Sequence, residues 1–354
     1  MTGRQLTYSQ AINEATDLCL ARDPSVYLIG LGVPDPKKIF GTTAGLQEKY
    51  GDQRVMDMPT AEAGMTGVAL GSALGGMRPI MVHQRMEFAL LALEQIVNQA
   101  ANWHYMFGGK SAVPFVMRML IGRGWGQGPQ HSQALHALFA HIPGLRVAMP
   151  VTPHDAKGML IEAVADNNPV IFIEHRWLHN VHGPVPESVY RVPFGKARRA
   201  RSGSDVTIVA ASYMVLEALK AADWLARDGV QAEVIDVRTL RPLDRETIFV
   251  SVARTGRLVA ADLGWGSLGF SAEIIASVTE RMFGALKAPP VRVSLPEVPS
   301  PSAPALARHY YPLAIDVYNA AQRTLGQPEA NEDSLGVTSE LPLDIPDQSF
   351  IGPF

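Results

Sequence analysis

Short apolar runs rich in Val, Ile and Phe alternate along this chain with longer segments whose apolar residues recur at helical spacing. That alternation is the pattern of a parallel sheet covered by helices. The first half predicts strands at Val26 to Gly30, Pro79 to Val82, Val113 to Met117, Leu145 to Met149 and Pro169 to Ile173. Between them lie predicted helices at about Tyr8 to Ala21, Glu62 to Leu74, Phe88 to Tyr105, Ser132 to Ala140 and Pro153 to Ala165. Regularity lapses from Trp177 to Ser204, a stretch rich in Pro, Gly, His and Arg that reads as a connector. Its Arg198, Arg199 and Arg201 suit a solvated connector or a phosphate site. Strands return at Asp205 to Ala210, Ala232 to Val237, Leu258 to Ala261 and Val291 to Leu295, with helices near Met214 to Arg227 and Phe270 to Phe283. The pattern therefore predicts an α/β protein of two domains, residues 1–180 and 205–325, with mainly parallel sheets flanked by helices. A connector, 181–204, joins them. The tail, 326–354, carries four Pro and six Asp or Glu without a period, and it is expected to wrap a surface or stay disordered.

Length and composition narrow the class. At 354 residues, 47% hydrophobic and 18% charged, the chain has enough apolar surface for two cores. A net charge of -3 gives no electrostatic reason to expect nucleic acid or an anionic membrane. The single cysteine, Cys19, excludes an internal disulfide framework and a cysteine-based zinc site. The start, MTGRQLTYSQAINEA, has no apolar signal core, and no uncharged run of about 18 residues could span a bilayer. The expectation is a soluble, cytoplasmic protein.

Residues 57–76, DMPTAEAGMTGVALGSALGG, are the most informative stretch. Gly64, Gly67, Gly71 and Gly75 fall on one stripe of a helix. Each mid-helix glycine costs roughly 1 kcal/mol against alanine, so the stripe calls for close backbone approach, in the core or across a subunit interface. Glu62 opens this helix just beyond a strand-like Arg54 to Met56 and the turn around Pro59. In an open parallel sheet that junction is where ligands bind; a carboxylate there also simply suits the helix dipole. Residues 122–133, GRGWGQGPQHSQ, form a glycine-rich loop whose spacing fits neither the Walker motif nor the dinucleotide fingerprint. His131 is expected at the N-terminus of the helix beginning near Ser132, where the dipole would keep its ring neutral. A catalytic histidine and a capping histidine are equally compatible with that position.

The segments DMPTAEAGMTGVALG, PQHSQALHALFAHIPGLRVAMPVTPHDAKGML, DNNPVIFIEH, VIDVRTLRPLDRETI and GFSAEI together resemble the beta subunit of the thiamine diphosphate-dependent first component of 2-oxoacid dehydrogenases (pyruvate and branched-chain), within the transketolase-like superfamily. The resemblance runs from about Leu6 to Leu325. It implies a pyrimidine-binding domain followed by a transketolase C-terminal domain. It also implies that Glu62 hydrogen-bonds the aminopyrimidine ring nitrogen, stabilising the protonated or imino form so that the exocyclic nitrogen can take the proton of the thiazolium carbon. His131 matches the histidine at the active-site mouth that contacts substrate or the lipoyl acceptor, and Met86 falls where the family places a side chain against the pyrimidine. Phe115, Ala163, Val164, Asp166 and Asn168 resemble a monovalent-cation (K+) site of some relatives. The GDG and paired asparagines that hold diphosphate and Mg2+ in this family have no counterpart here. The implied partner is an alpha-type subunit supplying those ligands, most simply in an α2β2 heterotetramer.

Two departures bear on the substrate. Ile29 to Val33 reads IGLGV where typical beta subunits carry two acids, and Val82, His83, Gln84, Arg85, Met86 and Glu87 stand where the family shows an acid with phenylalanines. His83 and Arg85, with His136, are thus substrate-pocket candidates for a 2-oxoacid bearing an extra anionic group or several hydroxyls; alternatively Arg85 pairs with Glu87 or Glu94. The leading expectation is a beta-like subunit of an enzyme that decarboxylates a 2-oxoacid and passes the acyl group to a lipoyl carrier, with a lipoyl acyltransferase as a further partner. A non-oxidative, transketolase-like or acyloin-forming enzyme is the alternative. A non-catalytic structural subunit is the third, and it fits poorly with the retention of Glu62 and His131.

Overall fold

The computed structural model describes residues 4–38, 40–122, 127–307, 309–331 and 333–335. The chain divides into two compact units, one built from Met1–Gly122 and Leu138–Phe194, the other from Arg123–Ala137 and Gly195–Pro346.

In the first unit the strands are β1 (Gln5–Thr7), β2 (Val26–Gly30), β3 (Val55–Met56), β4 (Arg78–His83), β5 (Val116–Ile121), β6 (Arg146–Ala148), β7 (Val170–His175) and β8 (His182–Pro184). Six of them form a parallel array in the order β6-β7-β5-β4-β2-β3. β2, β5 and β7 are buried along their whole length, as strands covered on both faces must be. Helix Tyr8–Arg22 begins with a capping box of Thr7 and Gln10, and helix Pro153–Ala165 begins with Thr152 as cap and Pro153 in the first turn, where its missing N–H costs nothing. These two helices pack together. Lys157 on one lies 2.6 Å from Glu14 on the other, and Glu14 also takes both arms of Arg4 at 2.8 Å.

Strand β5 starts three residues later than the apolar run suggested. Pro114 has no N–H for the ladder, so Val113–Phe115 only lead in. The strand then continues through Arg118, a charge that hid it from the hydrophobic pattern. Arg118 is wholly buried and forms a two-pronged pair with Glu174 of β7 at 2.5 and 3.0 Å. Burial alone would raise the Glu174 carboxyl, but Arg118 and His179 outweigh it and hold it at about 2.

The second unit contains β9 (Arg198–Arg201), β10 (Val206–Ala210), β11 (Ala232–Asp236), β12 (Thr239–Arg241), β13 (Leu258–Trp265) and β14 (Val291–Leu295). Its five-stranded sheet runs β14-β13-β10-β11-β9, parallel except for the edge strand β9. Residues 181–204, read from sequence as a connector, therefore supply two strands: β8, which pairs with β1, and β9. The three arginines of the connector are strand residues facing acids, Arg198 at 3.0 Å from Asp236, Arg199 at 3.9 Å from Glu233, and Arg201 against Asp223. Helices Met214–Arg227, Arg245–Thr255, Phe270–Met282 and Ala314–Leu325 complete this unit. Arg245–Thr255 is bounded by Asp244, whose side chain accepts the N–H of Thr247, and by Gly256 at φ 70°, the left-handed turn that favours glycine. Most of the tail lies outside the described residues; its first part is tied down by reciprocal bonds between Asn319 and Ala330.

Candidate active site

Glu62 is the first residue of helix Glu62–Leu74, reached from β3 through a tight turn closed by Ala61 N–H to the Pro59 carbonyl at 2.8 Å. It thus sits at the carboxyl edge of the parallel sheet. Its residue is 7% exposed, yet its carboxylate makes no hydrogen bond or ion pair with another described residue. A buried carboxylate without a partner is costly, and such a group marks a place for a donor from outside the chain. Along the same helix nothing lies within 4 Å of where a Cβ would stand at Gly64 or Gly71, and only Gln95 approaches Gly67. Among the described residues Gly64, Gly67 and Gly71 are thus not closely approached by another backbone.

The segment after β4 lies on the same edge. His83 ends β4 at 2% exposure, Arg85 at 4% precedes the short helix Met86–Ala89, and Met86 is fully buried. Neither ring nitrogen of His83 has a hydrogen-bond partner among the described residues, and burial pushes the ring down to about 4. It is therefore a neutral imidazole at pH 7. Gln84 between them donates to the carbonyl of Leu31, the residue after β2. Gly30 of the IGLGV segment is required by close approach, since a Cβ there would come within 2.6 Å of the Val82 carbonyl oxygen.

His131 belongs to the second unit, half-buried in a turn where its N–H reaches the Gly128 carbonyl at 3.3 Å. The helix expected to begin near Ser132 begins at His136. His131 is thus five residues upstream of the helix, and the dipole argument for its neutral ring does not apply. The intervening turn is pinned instead by Ser300, whose Oγ lies 3.2 Å from both the Ser132 carbonyl and the Tyr310 hydroxyl. His136, expected in the substrate pocket, has no exposed surface and its Nε2 lies 2.7 Å from Asp262 Oδ1. Burial raises the Asp262 carboxyl, but the facing His136 and the N–H groups of Ser271 and Gly264 outweigh it and leave it below the usual carboxylate value. Sequence reasoning missed Asp262, Glu174 and Arg176, because each acquires its role through a neighbour distant in the chain. Asp262 is 126 residues from His136.

The family description "Transketolase, pyrimidine binding domain" matches residues 4–180, and "Transketolase, C-terminal domain" matches residues 195–317. The chain is 45% identical over 332 residues to the acetoin:2,6-dichlorophenolindophenol oxidoreductase subunit beta of Cupriavidus necator, covering 91% of this chain and 98% of that one. The chain belongs to the transketolase-like family, as a beta subunit. It is also 42% identical over 324 residues to the pyruvate dehydrogenase E1 component subunit beta-2 of Oryza sativa subsp. japonica, covering 90% of this chain and 86% of that one. Among solved structures it resembles a split-gene transketolase in an inactive beta4 tetramer, with a TM-score of 0.74 and 26% identity over 91% of this chain and 99% of that one.

In this transketolase-like beta subunit the carbonyls of Val164 and Asp166, two of the expected cation ligands, already converge on the Arg78 guanidinium at 2.9 and 3.1 Å, while Phe115 and Ala163 carbonyls accept from Val170 and Asp166. A K+ ion there would share those oxygens with Arg78. No group of three or more His, Cys, Asp or Glu among the described residues could hold a metal ion, and no helix among them is long and apolar enough to cross a membrane.

Proposed function

We propose that this chain forms half of a thiamine diphosphate site, with Glu62 accepting a hydrogen bond from the aminopyrimidine ring nitrogen. The observation that carries the reading is the buried Glu62 carboxylate with no partner among the described residues, at the carboxyl edge of the pyrimidine-binding domain. A ring N–H is the kind of donor that would offset its desolvation. When bound, thiamine diphosphate supplies a nucleophilic carbon and an electron sink for cleaving a bond next to a carbonyl. Glu62 holds the proton at the ring nitrogen. Met86, buried beside Arg85, offers the ring an apolar contact. His131 moves a proton at the substrate carbonyl oxygen or meets the acceptor.

The diphosphate and Mg2+ ligands would come from an alpha-type partner, most simply in an α2β2 heterotetramer, since this chain lacks the GDG motif and its paired asparagines. The substrate would be a small-molecule 2-oxoacid bearing an extra anionic group or several hydroxyls, its acyl group passing to a lipoyl carrier held by an acyltransferase. The IGLGV segment, which lacks the family's acids, and the likeness to a split-gene transketolase support a second reading: a non-oxidative enzyme that transfers the carbanion equivalent to another carbonyl. Turnover of a 2-oxoacid to an acyloin with no lipoyl acceptor would select it. For the cofactor role itself, Glu62→Gln in the complex with the alpha-type chain should slow deuterium exchange at the thiazolium carbon by about 10²-fold or more, with assembly intact. Exchange at the unaltered rate would overturn the assignment.

A further inference from the structure

Helix Glu62–Leu74 leads from the carboxyl end of β3 back to the start of β4, and both strands run parallel to β2. The helix therefore runs antiparallel to β4. One contact fixes its register: Thr66 Oγ1 lies 3.3 Å from Met81 Sδ, and both residues are wholly buried. From Thr66 back to Glu62 is one turn along the same helix face, about 6 Å. From Met81 on to His83 is two residues along the same face of the strand, about 7 Å in the same direction. The register thus sets His83 on the helix-covered face of the sheet, level with Glu62 at the carboxyl edge.

His83 is 2% exposed, and neither ring nitrogen has a hydrogen-bond partner among the described residues. Its setting is apolar: Met81 precedes it on the same face, Met119 stands opposite it on β5, and Met86 follows, all fully buried. Buried polar side chains are normally answered, and here the answering group must come from outside the chain. The chemistry of the ring says what kind of group. Burial holds the imidazole down to about 4, hence neutral at pH 7, with one nitrogen donating and the other accepting. A carboxylate or a phosphate only accepts and leaves one nitrogen unanswered, whereas hydroxyls both accept and donate. Of a 2-oxoacid with an extra anionic group and one with several hydroxyls, the second matches the ring. We infer that His83 is a specificity-determining contact that hydrogen-bonds the hydroxyls of a polyhydroxylated 2-oxoacid bound beside Glu62. The inference rests on the thiamine diphosphate reading for the placing of the substrate, and on the register of helix and strand for the placing of His83.

The test uses the complex with its alpha-type subunit. Tryptophan fluorescence reads thiamine diphosphate binding in the presence of Mg2+. Calorimetric titration of the loaded complex with D-glycerate, D-erythronate and the hydroxyl-poor L-lactate reads the substrate side without turnover, since none of the three carries a 2-oxo group. Glycerate or erythronate should bind the unaltered complex more tightly than lactate, and His83→Phe should weaken that ligand at least about tenfold more than it weakens lactate. His83→Gln, which keeps a donor and an acceptor, should restore most of the difference. In the kinetic arm, the ratio of kcat/KM for 3-hydroxypyruvate to that for pyruvate should fall by a similar factor in His83→Phe and recover in His83→Gln. Equal binding of all three acids by the unaltered complex, or equal losses for all three in His83→Phe, would overturn the assignment. So would a loss of thiamine diphosphate affinity of about tenfold in His83→Phe, which would put the ring on the cofactor instead. If the unaltered complex binds no thiamine diphosphate but still prefers the hydroxylated acids through His83, the hydroxyl contact stands and the cofactor reading fails. Circular dichroism and complex size check that His83→Phe folds and assembles, and His83→Leu carries the same readout should it not.

Discussion

Two buried histidines show how differently the two units treat polar groups. In the second unit His136 is fully enclosed and faces Asp262 at 2.7 Å, and that carboxylate also takes the N–H groups of Leu263 and Ser271 at 2.7 and 3.3 Å. The network is closed on itself at every atom but His136 Nδ1. In the first unit His83 is as deeply buried and both its nitrogens lack a partner among the described residues, while Glu62 on the same sheet edge is 7% exposed. Buried polar groups are normally satisfied. Satisfied ones hold a fold together; unsatisfied ones at the ligand-binding edge of a parallel sheet mark where something else binds. Burial alone, which makes His83 and His136 look alike, does not separate the two roles; the partner does.

The contrast breaks first at Asp262. Asp262→Ala leaves His136 buried without its acceptor and two N–H groups unanswered, and it should lower the stability of the second unit by about 3 kcal/mol. Asp262→Asn keeps an acceptor and should cost about half as much. Urea unfolding midpoints read both, and a loss below about 1 kcal/mol for the alanine variant would mean that the pair is ornamental.

The next effect is on pH dependence at His83. An imidazole titrates near 6.5 in an unfolded chain, and burial lowers it to about 4 in the folded one. Between those values the unfolded state binds a proton that the native state refuses, so stability rises with pH across that window and is lost as pH falls. From pH 7 to pH 5 the loss from this one group is about 2 kcal/mol. His83→Phe should remove that part of the pH slope. At pH 7 it should also stabilise the first unit by about 1 kcal/mol, because an unpartnered polar ring gives way to an apolar one. The same difference in slope between variant and parent, measured by urea unfolding at pH 7 and pH 5, would vanish if water or a neighbouring group satisfies the ring.

How much of this was legible follows from how local each signal is. Helices Glu62–Leu74, Pro153–Ala165 and Met214–Arg227 and strands Val26–Gly30 and Val291–Leu295 stand where apolar spacing and turn residues put them. Strand β9 was invisible because Arg198–Arg201 reads as a solvated run, and only Asp236, Glu233 and Asp223, far along the chain, make it a strand. The start of helix His136–His141 was misplaced because the turn before it is fixed by Ser300, 168 residues away from Ser132. Glu62 was legible from its place after β3, whereas its burial is a three-dimensional fact. Arg176 carries no local signal: its stem is accommodated by Gly122, just past β5, where a Cβ would collide with it.

The smallest effect tests the glycine stripe of helix Glu62–Leu74. Gly71 sits in mid-helix with nothing within 4 Å of a Cβ among the described residues, so Gly71→Ala should raise the stability of the isolated chain by about 1 kcal/mol through helix propensity alone. In the assembled complex the sign should reverse. A family beta subunit works beside an alpha-type chain, and a stripe not closely approached among the described residues is placed to let a neighbouring backbone approach; a methyl group there would prop the two apart. Gel filtration and urea unfolding of the same variant, alone and with the partner, separate the cases. A gain in stability that persists unchanged in the complex would mean the stripe faces solvent there as well, and the cost of three glycines in one helix would then be unexplained by subunit packing.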